Sequence, residues 1–380
     1  MHKKFLRKHC CRKTMNIINF LYRINWFFII LLLLISSIGV ALLYSIAGAS
    51  WDPWASKHII RILISLTVLI TISLVNIEFR YKLANPLYLF SISLICLTFL
   101  LGKEVSGAKR WIDLYIFSFQ PAEVVKVFVI LALAKFFHSI KLQSYDIKQR
   151  IFLPLLILFV PVILIFKQPD LGTAIIIFLS GIIVLFLSGV QMKTFFLSGI
   201  GGLVSLPIFW RFLEDYQKSR IINFLDQQSN TLGANYHITQ SKIALGSGGF
   251  FGKGFLQGTQ SHLNFIPEME TDFIFSVLGE EFGFLGILFL FFLYFILILW
   301  VIKISLESKN YFSKIFGISF IASFFLVIFT NIGMVTGIIP VVGVPLPLCS
   351  YGGSAILSNF IGFGIILSGY NYRDFRLHNV

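Results

Sequence analysis

The stretch "DFIFSVLGEEFGFLGILFLFFLYFILILWVI", residues 272–302, decides the fold class because its apolar run is long enough to cross a lipid bilayer. A transmembrane helix needs about 20 predominantly apolar residues. The run nevertheless contains Glu280 and Glu281, and Asp272 stands at its start, close behind two further acids. Carboxylates are costly in an apolar medium, so a chain that places them here needs them for structure or for chemistry.

The composition of the whole chain supports the same class. The 380 residues are 57% hydrophobic and only 13% charged, whereas an ordinary globular domain is about 25% charged. We therefore predict an all-α polytopic membrane protein with about ten transmembrane helices. The net charge of +14 does not indicate a nucleic-acid partner, because seven of the Lys and Arg residues precede the first span. Basic residues there are typical of a cytoplasmic terminus beside anionic lipid.

The apolar runs also predict the organisation of the chain. We expect a basic cytoplasmic tail over 1–25, spans 1–7 over 26–210, a large extracytoplasmic loop over 211–271, spans 8–10 over 272–369 and a cytoplasmic tail over 370–380. On this topology the cytoplasmic segments hold 18 Lys and Arg and the short outer segments hold six. This asymmetry favours an even number of spans with both ends in the cytoplasm. A loop of about sixty residues is too long for a simple connection, and loops of this length are functional or disordered. Because this one carries apolar side chains, we expect an ordered loop against the bilayer surface.

The motif "FQPAEVVKVF" (119–128) begins a predicted helix and carries two charges into it. Pro121 suits the first helical position, and Glu123 meets the positive end of the helix dipole. Lys126 lies one turn deeper, where an unpaired charge costs about 2.5–3.5 kcal/mol. The two side chains can neutralise each other at i and i+3, and the sequence leaves open whether this pair is structural or functional.

Two further motifs place basic side chains outside the spans. In "GAKRWIDL" (107–114), Lys109 and Arg110 could bind a phosphate, although Trp111 beside them also suits an interfacial anchor. The segment "GSGGFFGKG" (246–254) lacks the spacing of a phosphate-binding P-loop. It is either a flexible turn or a nest of amides that binds an anion together with Lys253.

Residues 337–354 are uncharged but interrupted by Pro and Gly. Irregular backbone at membrane depth persists only where protein covers it or where it lines a water-filled cavity. We therefore expect this segment to line a cavity on the outer side of the membrane.

Together the motifs resemble the SEDS family (shape, elongation, division, sporulation). The resemblance covers about 20–372 and rests on "GAKRWIDL…FQPAEVVK", "QPDLGTA", "NYHITQSKIALGSGGFFGKGFLQGTQSHLNFIPEMETDFIFSVLGEEFG" and "NIGMVTGIIPVVGVPLPLCSYGGSA". The part "GKGFLQGTQSHLNFIPE" is more similar to the rod-shape branch than to the division branch. The resemblance implies a ten-span peptidoglycan glycosyltransferase that polymerises lipid II at the outer face of the bacterial cytoplasmic (inner) membrane during cell elongation. It also implies a class B penicillin-binding protein and other elongation-complex membrane proteins as partners.

The resemblance assigns roles to individual residues. The family's catalytic Asp falls on Asp272, and its motif positions fall on Trp111, Glu123 and Lys126. Departures at Met269-Glu270 and in the "FLDQQSN" segment change the local charge and the substrate loop rather than the reaction class.

From these positions we hypothesise that Asp272 is the general base, with a pKa raised by its neighbours and by partial burial. The candidates for binding substrate and its diphosphate are Lys109, Arg110, Trp111, Glu123, Lys126 and Lys253. Glu268, Glu270 and Glu280 are candidates for tuning the pKa of Asp272 or for holding a metal. No cofactor is required by the sequence, and no ligand spacing indicates a metal, although carboxylates and diphosphate could together hold Mg²⁺ or Mn²⁺.

Two other functions remain open at this point. A transporter that flips the lipid-linked precursor also needs many spans and buried charge, but such proteins place their ionisable sites near the midplane and are built from internal repeats. Here the acids gather near one boundary, and we find no repeat. A noncatalytic scaffold of the cell-wall machinery would leave Asp272 and Lys126 without a purpose.

Overall fold

The computed structural model describes residues 25–105, 108–113, 118–142, 147–213, 217–219, 222, 224, 234–262, 268–375 and 377. The predicted basic tail before Asn25, and the parts of the predicted 211–271 loop and C-terminal tail that these ranges omit, lie outside the described residues. The helices are α1 (Trp26–Ile46), α2 (Ala55–Leu74), α3 (Ile77–Leu101), α4 (Pro121–Leu142), α5 (Ile147–Phe166), α6 (Leu171–Leu187), α7 (Met192–Phe212), α8 (Ala234–Ser247), α9 (Thr259–His262), α10 (Ile274–Glu307), α11 (Tyr311–Val335) and α12 (Gly353–Asn371).

Ten of the helices in the described ranges have 17 or more residues, which confirms the predicted polytopic helical fold. Six of these, namely α1, α2, α3, α10, α11 and α12, are long and apolar enough to cross a membrane, and shorter apolar helices occupy Phe152–Phe166 and α6. The outer face of α10 exposes Phe289, Phe292 and Phe295. Large exposed aromatic side chains along one face are expected of a helix whose solvent on that side is lipid.

A small antiparallel sheet between α3 and α4 was not predicted from the sequence. Its strands β1 (Lys103–Val105), β2 (Ala108–Asp113) and β3 (Ser118–Phe119) are hydrogen-bonded in the order β1-β2-β3. Ile112 pairs with Phe119, so the sheet holds β2 beside the first turn of α4. The sheet therefore gives the "GAKRWIDL" motif a fixed backbone instead of a free loop.

The long apolar run that was predicted as one span is two half-helices joined at a break. Gly283 has φ 63° and ψ −159°, which separates 274–282 from 284–307. The backbone groups freed by the break bond to the Gly-rich segment: Phe284 N donates to Gly249 O (3.0 Å), and Gly254 N donates to Glu281 O (3.0 Å). Backbone groups that leave a helix at membrane depth must find such partners within the protein.

This docking explains the glycines of the 246–254 segment. A Cβ at Gly248 would lie 2.9 Å from the carbonyl carbon of Gly279 and 3.1 Å from Cα of Glu280, so only glycine allows the backbones to approach this closely. The amides of Lys253 and Gly254 donate to carbonyl oxygens of α10. The structure gives these amides a structural role in place of the anion nest that the sequence allows.

We predict that Gly248→Ala destabilises the protein by about 1–3 kcal/mol, because the added methyl group overpacks two backbones that cannot move apart independently. Gly246→Ala is the matched control, since a Cβ there meets nothing within 4 Å. Thermal unfolding midpoints of the two purified variants in detergent measure the difference. Equal midpoints would contradict the close docking of this segment.

Candidate active site

A cavity of about 790 Å³ lies where α2, β2, the α5–α6 turn, α8, the turn before α10 and the 341–355 segment meet. The expectation that the uncharged Pro- and Gly-rich segment lines a cavity is confirmed. The polar and aromatic side chains that line the cavity are Arg61, Arg110, Trp111, Asp113, Ser118, Gln120, Asp170, His237, Glu268, Glu270, Thr271, Asp272, Phe273, Tyr351 and Ser354.

Asp272 lies in the turn that precedes α10, and only 9% of it is exposed. Its amide donates to Glu268 O (3.1 Å), and Glu268 holds the turn with a positive φ of 53°. On the other side, the Asn331 amide donates both to Asp272 O (2.9 Å) and to Val344 O (2.7 Å). A Cβ at Gly343 would lie 3.5 Å from Asp272 Oδ2, so the bare backbone of Gly343 borders the carboxylate.

The turn before α10 and the irregular 336–352 segment are joined by further hydrogen bonds. Tyr351 N donates to Glu270 O (2.8 Å), and Ser350 Oγ donates to Thr271 O (2.5 Å). Leu346 N in turn donates to Ser350 Oγ (2.8 Å). The backbone around Asp272 is therefore paired to protein on both sides, as a rigid site in an apolar medium requires.

Arg110 and Asp170 form the wall of the cavity beside β2. Arg110 Nε donates to Gln168 O (3.2 Å), and a second guanidinium nitrogen donates to Pro169 O. Asp170 caps α6 by accepting from Thr173 N (3.2 Å), and it also accepts from Gln120 Nε2 (3.1 Å). Burial raises the pKa of Asp170 above its ordinary value, whereas the nearby Arg110 cation lowers it.

Sequence reasoning did not single out Arg61, His237 or Tyr351 for the site. The Arg61 guanidinium lies 4.2 Å from the centre of the Tyr351 ring, a cation–π geometry that holds it at the cavity. Burial lowers the pKa of His237, and the Glu268 carboxylate raises it. His237 belongs to the family motif "NYHITQSK", which is a signal in the sequence, but Arg61 is visible there only as one basic residue near the start of a span.

Several predicted site residues lie elsewhere. Lys109 is exposed, and its side chain is not part of the cavity lining. Lys126 donates to Glu123 Oε2 (2.9 Å) as the i and i+3 spacing predicts, and both residues are buried in α4. Lys253 pairs with Glu280 (2.7 Å), again outside the cavity lining.

The two acids of α10 have partners other than Lys126. Lys126 has Glu123 as its partner, while Glu280 bonds to Lys253 and Glu281 accepts from Ser45 Oγ. Asp272 precedes α10, so it does not share a helix with Glu280 and Glu281. The partners of Glu280 and Glu281 come from distant parts of the chain, which helical spacing alone does not reveal.

The described residues contain no group of three or more His, Cys, Asp or Glu side chains placed to hold a metal ion. Glu268, Glu270 and Asp272 all line the cavity, but they do not form a ligand set by themselves.

The comparison with protein families decides the classification. The FtsW/RodA/SpoVE family model, described as "Cell cycle protein", matches residues 19–373. The chain belongs to this family. The match confirms the family resemblance drawn from the motifs, and it covers every element that surrounds the cavity.

Individual members of the FtsW/RodA/SpoVE family are similar over most of the chain. Peptidoglycan glycosyltransferase MrdB of Escherichia coli (strain K12) is 42% identical over 318 residues, which cover 83% of this chain and 85% of that relative. A solved peptidoglycan synthase complex that coordinates polymerization and crosslinking contains a chain with TM-score 0.79 and 27% identity, covering 92% of this chain and 98% of that one. The rod shape determining protein RodA of Thermus thermophilus has TM-score 0.70 and 26% identity, with 92% and 97% covered.

We predict that Lys126→Met costs about 3–5 kcal/mol of stability, because it leaves the Glu123 carboxylate buried without its cation. The double variant Glu123→Gln/Lys126→Met removes both charges and should recover most of that loss. Unfolding midpoints in detergent measure both variants. A double variant as unstable as Lys126→Met would show that the buried pair is not what stabilises α4.

Proposed function

We propose that this chain is a peptidoglycan glycosyltransferase that polymerises lipid II into glycan strands for cell elongation and rod shape. The observation that carries the proposal is the cavity, which places the buried Asp272 together with the guanidinium groups of Arg61 and Arg110. Transfer of a sugar from a lipid diphosphate needs a base for the attacking hydroxyl and positive charge for the leaving group. The identity to a peptidoglycan glycosyltransferase supports the same activity.

In the proposed reaction, Asp272 is the general base. The acceptor sugar hydroxyl gives its proton to a carboxylate oxygen of Asp272 while its own oxygen bonds to the anomeric carbon of the donor. The bond between that carbon and the diphosphate oxygen breaks, and the lipid diphosphate leaves with the electron pair. Glu268 and Glu270 line the same cavity as Asp272.

Arg61 and Arg110 are the proposed ligands of the diphosphate, with Trp111 beside them. Arginine suits this role because its planar group binds phosphate oxygens in pairs. Lys109, Lys126 and Lys253 are also candidates from the sequence, but none of them is among the residues that line the cavity. We therefore assign diphosphate binding to Arg61 and Arg110.

The proposal also includes an orientation of the chain in the membrane and a protein partner. An excess of Lys and Arg in the cytoplasmic segments supports cytoplasmic termini and a cavity at the extracytoplasmic face of the inner membrane. Lipid II keeps its lipid in the bilayer, which fits a site at the membrane boundary. The likeness to a chain from a complex that coordinates polymerization and crosslinking supports a class B penicillin-binding protein as the partner.

We predict that Asp272→Asn lowers the rate of lipid II polymerisation by about 10²–10⁴ while the protein still folds, because loss of a general base has that effect. The matched control is Asp52→Asn, an exposed Asp outside the cavity lining. The purified protein is incubated with labelled lipid II, with and without its penicillin-binding partner, and glycan chains are separated on a gel. A folded Asp272→Asn protein at full rate would overturn the assignment, and lipid flipping without polymer would favour the transporter.

We predict that Arg110→Gln raises KM for lipid II by about 10–100-fold, since a hydrogen bond to a charged group contributes about 1.5–3 kcal/mol. Lys109→Gln, one residue away on the same strand, should leave KM unchanged within about twofold. Initial rates over a range of lipid II concentrations measure both variants. A raised KM in Lys109→Gln with an unchanged KM in Arg110→Gln would instead assign diphosphate binding to Lys109.

A further inference from the structure

An ion pair outside the cavity joins the Gly-rich segment to the half-helix that follows Asp272. Glu280 is fully buried, and its carboxylate accepts from Lys253 Nζ (2.7 Å), Gln260 N (2.8 Å) and Ser261 N (3.2 Å). Lys253 Nζ also donates to Thr259 Oγ1 (2.7 Å). One buried carboxylate thus gathers donors from a connected segment of the chain, which is more than neutralising a charge requires.

The pair is located where α10 is broken. The backbone amide of Lys253 donates to Glu280 O (3.0 Å), three residues before the break at Gly283. Beyond the break, Leu285 N donates to Phe250 O (3.2 Å). The segment that carries Lys253 therefore bonds to both half-helices and fixes the angle between them.

Asp272 and this pair lie at opposite ends of the same short half-helix. Asp272 comes two residues before Ile274, where α10 begins, and Glu280 lies in the last turn before the break. At 1.5 Å per residue, the helical part from Ile274 to Glu280 is about 9 Å long. A helix of this length moves as a rigid rod, so a change of angle at the break displaces its other end.

We propose that Lys253 and Glu280 are positioning residues, which set the angle of the half-helix 274–282 and thereby the place of the Asp272 carboxylate in the cavity. The inference rests on the proposed function of Asp272 as the base. Neither residue lines the cavity, so they act on the reaction through Asp272 rather than by contact with substrate. A displacement of about 1 Å in a reacting group can lower a rate about 100-fold.

Steady-state kinetics of three proteins test the proposal: the wild type, Lys253→Met and Lys253→Arg. Lys253→Met keeps the length of the side chain without its charge, and we expect kcat to fall at least about tenfold with KM for lipid II unchanged within about twofold. Lys253→Arg keeps a cation beside Glu280 and should restore kcat to within about threefold of the wild type. A purely structural role would lower the amount of folded protein without this split between kcat and KM.

Amide hydrogen exchange gives a second readout that needs no activity. In Lys253→Met, we expect the amides of 274–282 to exchange at least about tenfold faster, because the half-helix has lost the ion pair with Lys253 that holds it in place. The amides of 290–305, beyond the break, should keep their wild-type protection and serve as the internal control. Lys253→Arg should match the wild type in both regions.

Each alternative result overturns the proposal in its own way. A raised KM with unchanged kcat in Lys253→Met would make Lys253 a ligand of the diphosphate. Unchanged kcat, or unchanged exchange over 274–282, would show that the pair does not position Asp272. If the exchange rates rise equally over 274–282 and 290–305, the Lys253–Glu280 pair stabilises the whole helix and does not position Asp272. If the wild type makes no polymer, the proposed function fails, and the exchange measurement still decides whether the pair holds the half-helix.

Discussion

Backbone hydrogen bonding in an apolar medium is the constraint on which the rest of this structure depends. Where a chain leaves the helix at membrane depth, its amides and carbonyls must pair within the protein. The break at Gly283 meets this requirement through the 249–254 segment, and the irregular backbone after α11 meets it through the turn before α10. Both arrangements converge on the residues around Asp272. The same hydrogen bonds that make the irregular backbone tolerable therefore also fix the site.

Under this constraint, the three acidic residues of the apolar 272–302 stretch lie in three different environments. Asp272 borders a cavity that also contains two guanidinium groups, where a carboxylate can take part in chemistry. Glu280 is buried against a lysine and two backbone amides. Glu281 accepts from Ser45 of α1 and so ties the broken helix to the first one. The apolar surroundings select for these uses, because a carboxylate without partners would be too costly to keep there.

The sequence predicts those features that depend on local spacing. Hydropathy predicts the long helices, and the i and i+3 spacing predicts the Glu123–Lys126 pair. Contacts between segments that are far apart in the sequence cannot be predicted from local spacing. Lys253 and Glu280 are 27 residues apart, and the break in α10 needs partners from a different segment. Arg61 reaches the cavity only because α2 packs beside the irregular segment that carries Tyr351.

The central claim is that the cavity lined by Asp272, Arg61 and Arg110 binds the lipid diphosphate. A cryo-EM structure of the protein with undecaprenyl diphosphate bound tests this claim most directly. We predict density for the diphosphate within hydrogen-bond distance of both guanidinium groups, with its terminal phosphate, the one that bears the sugar in lipid II, directed toward Asp272. Density for the diphosphate at Lys253, or at any place from which Asp272 cannot reach the anomeric carbon of a donor, would contradict it.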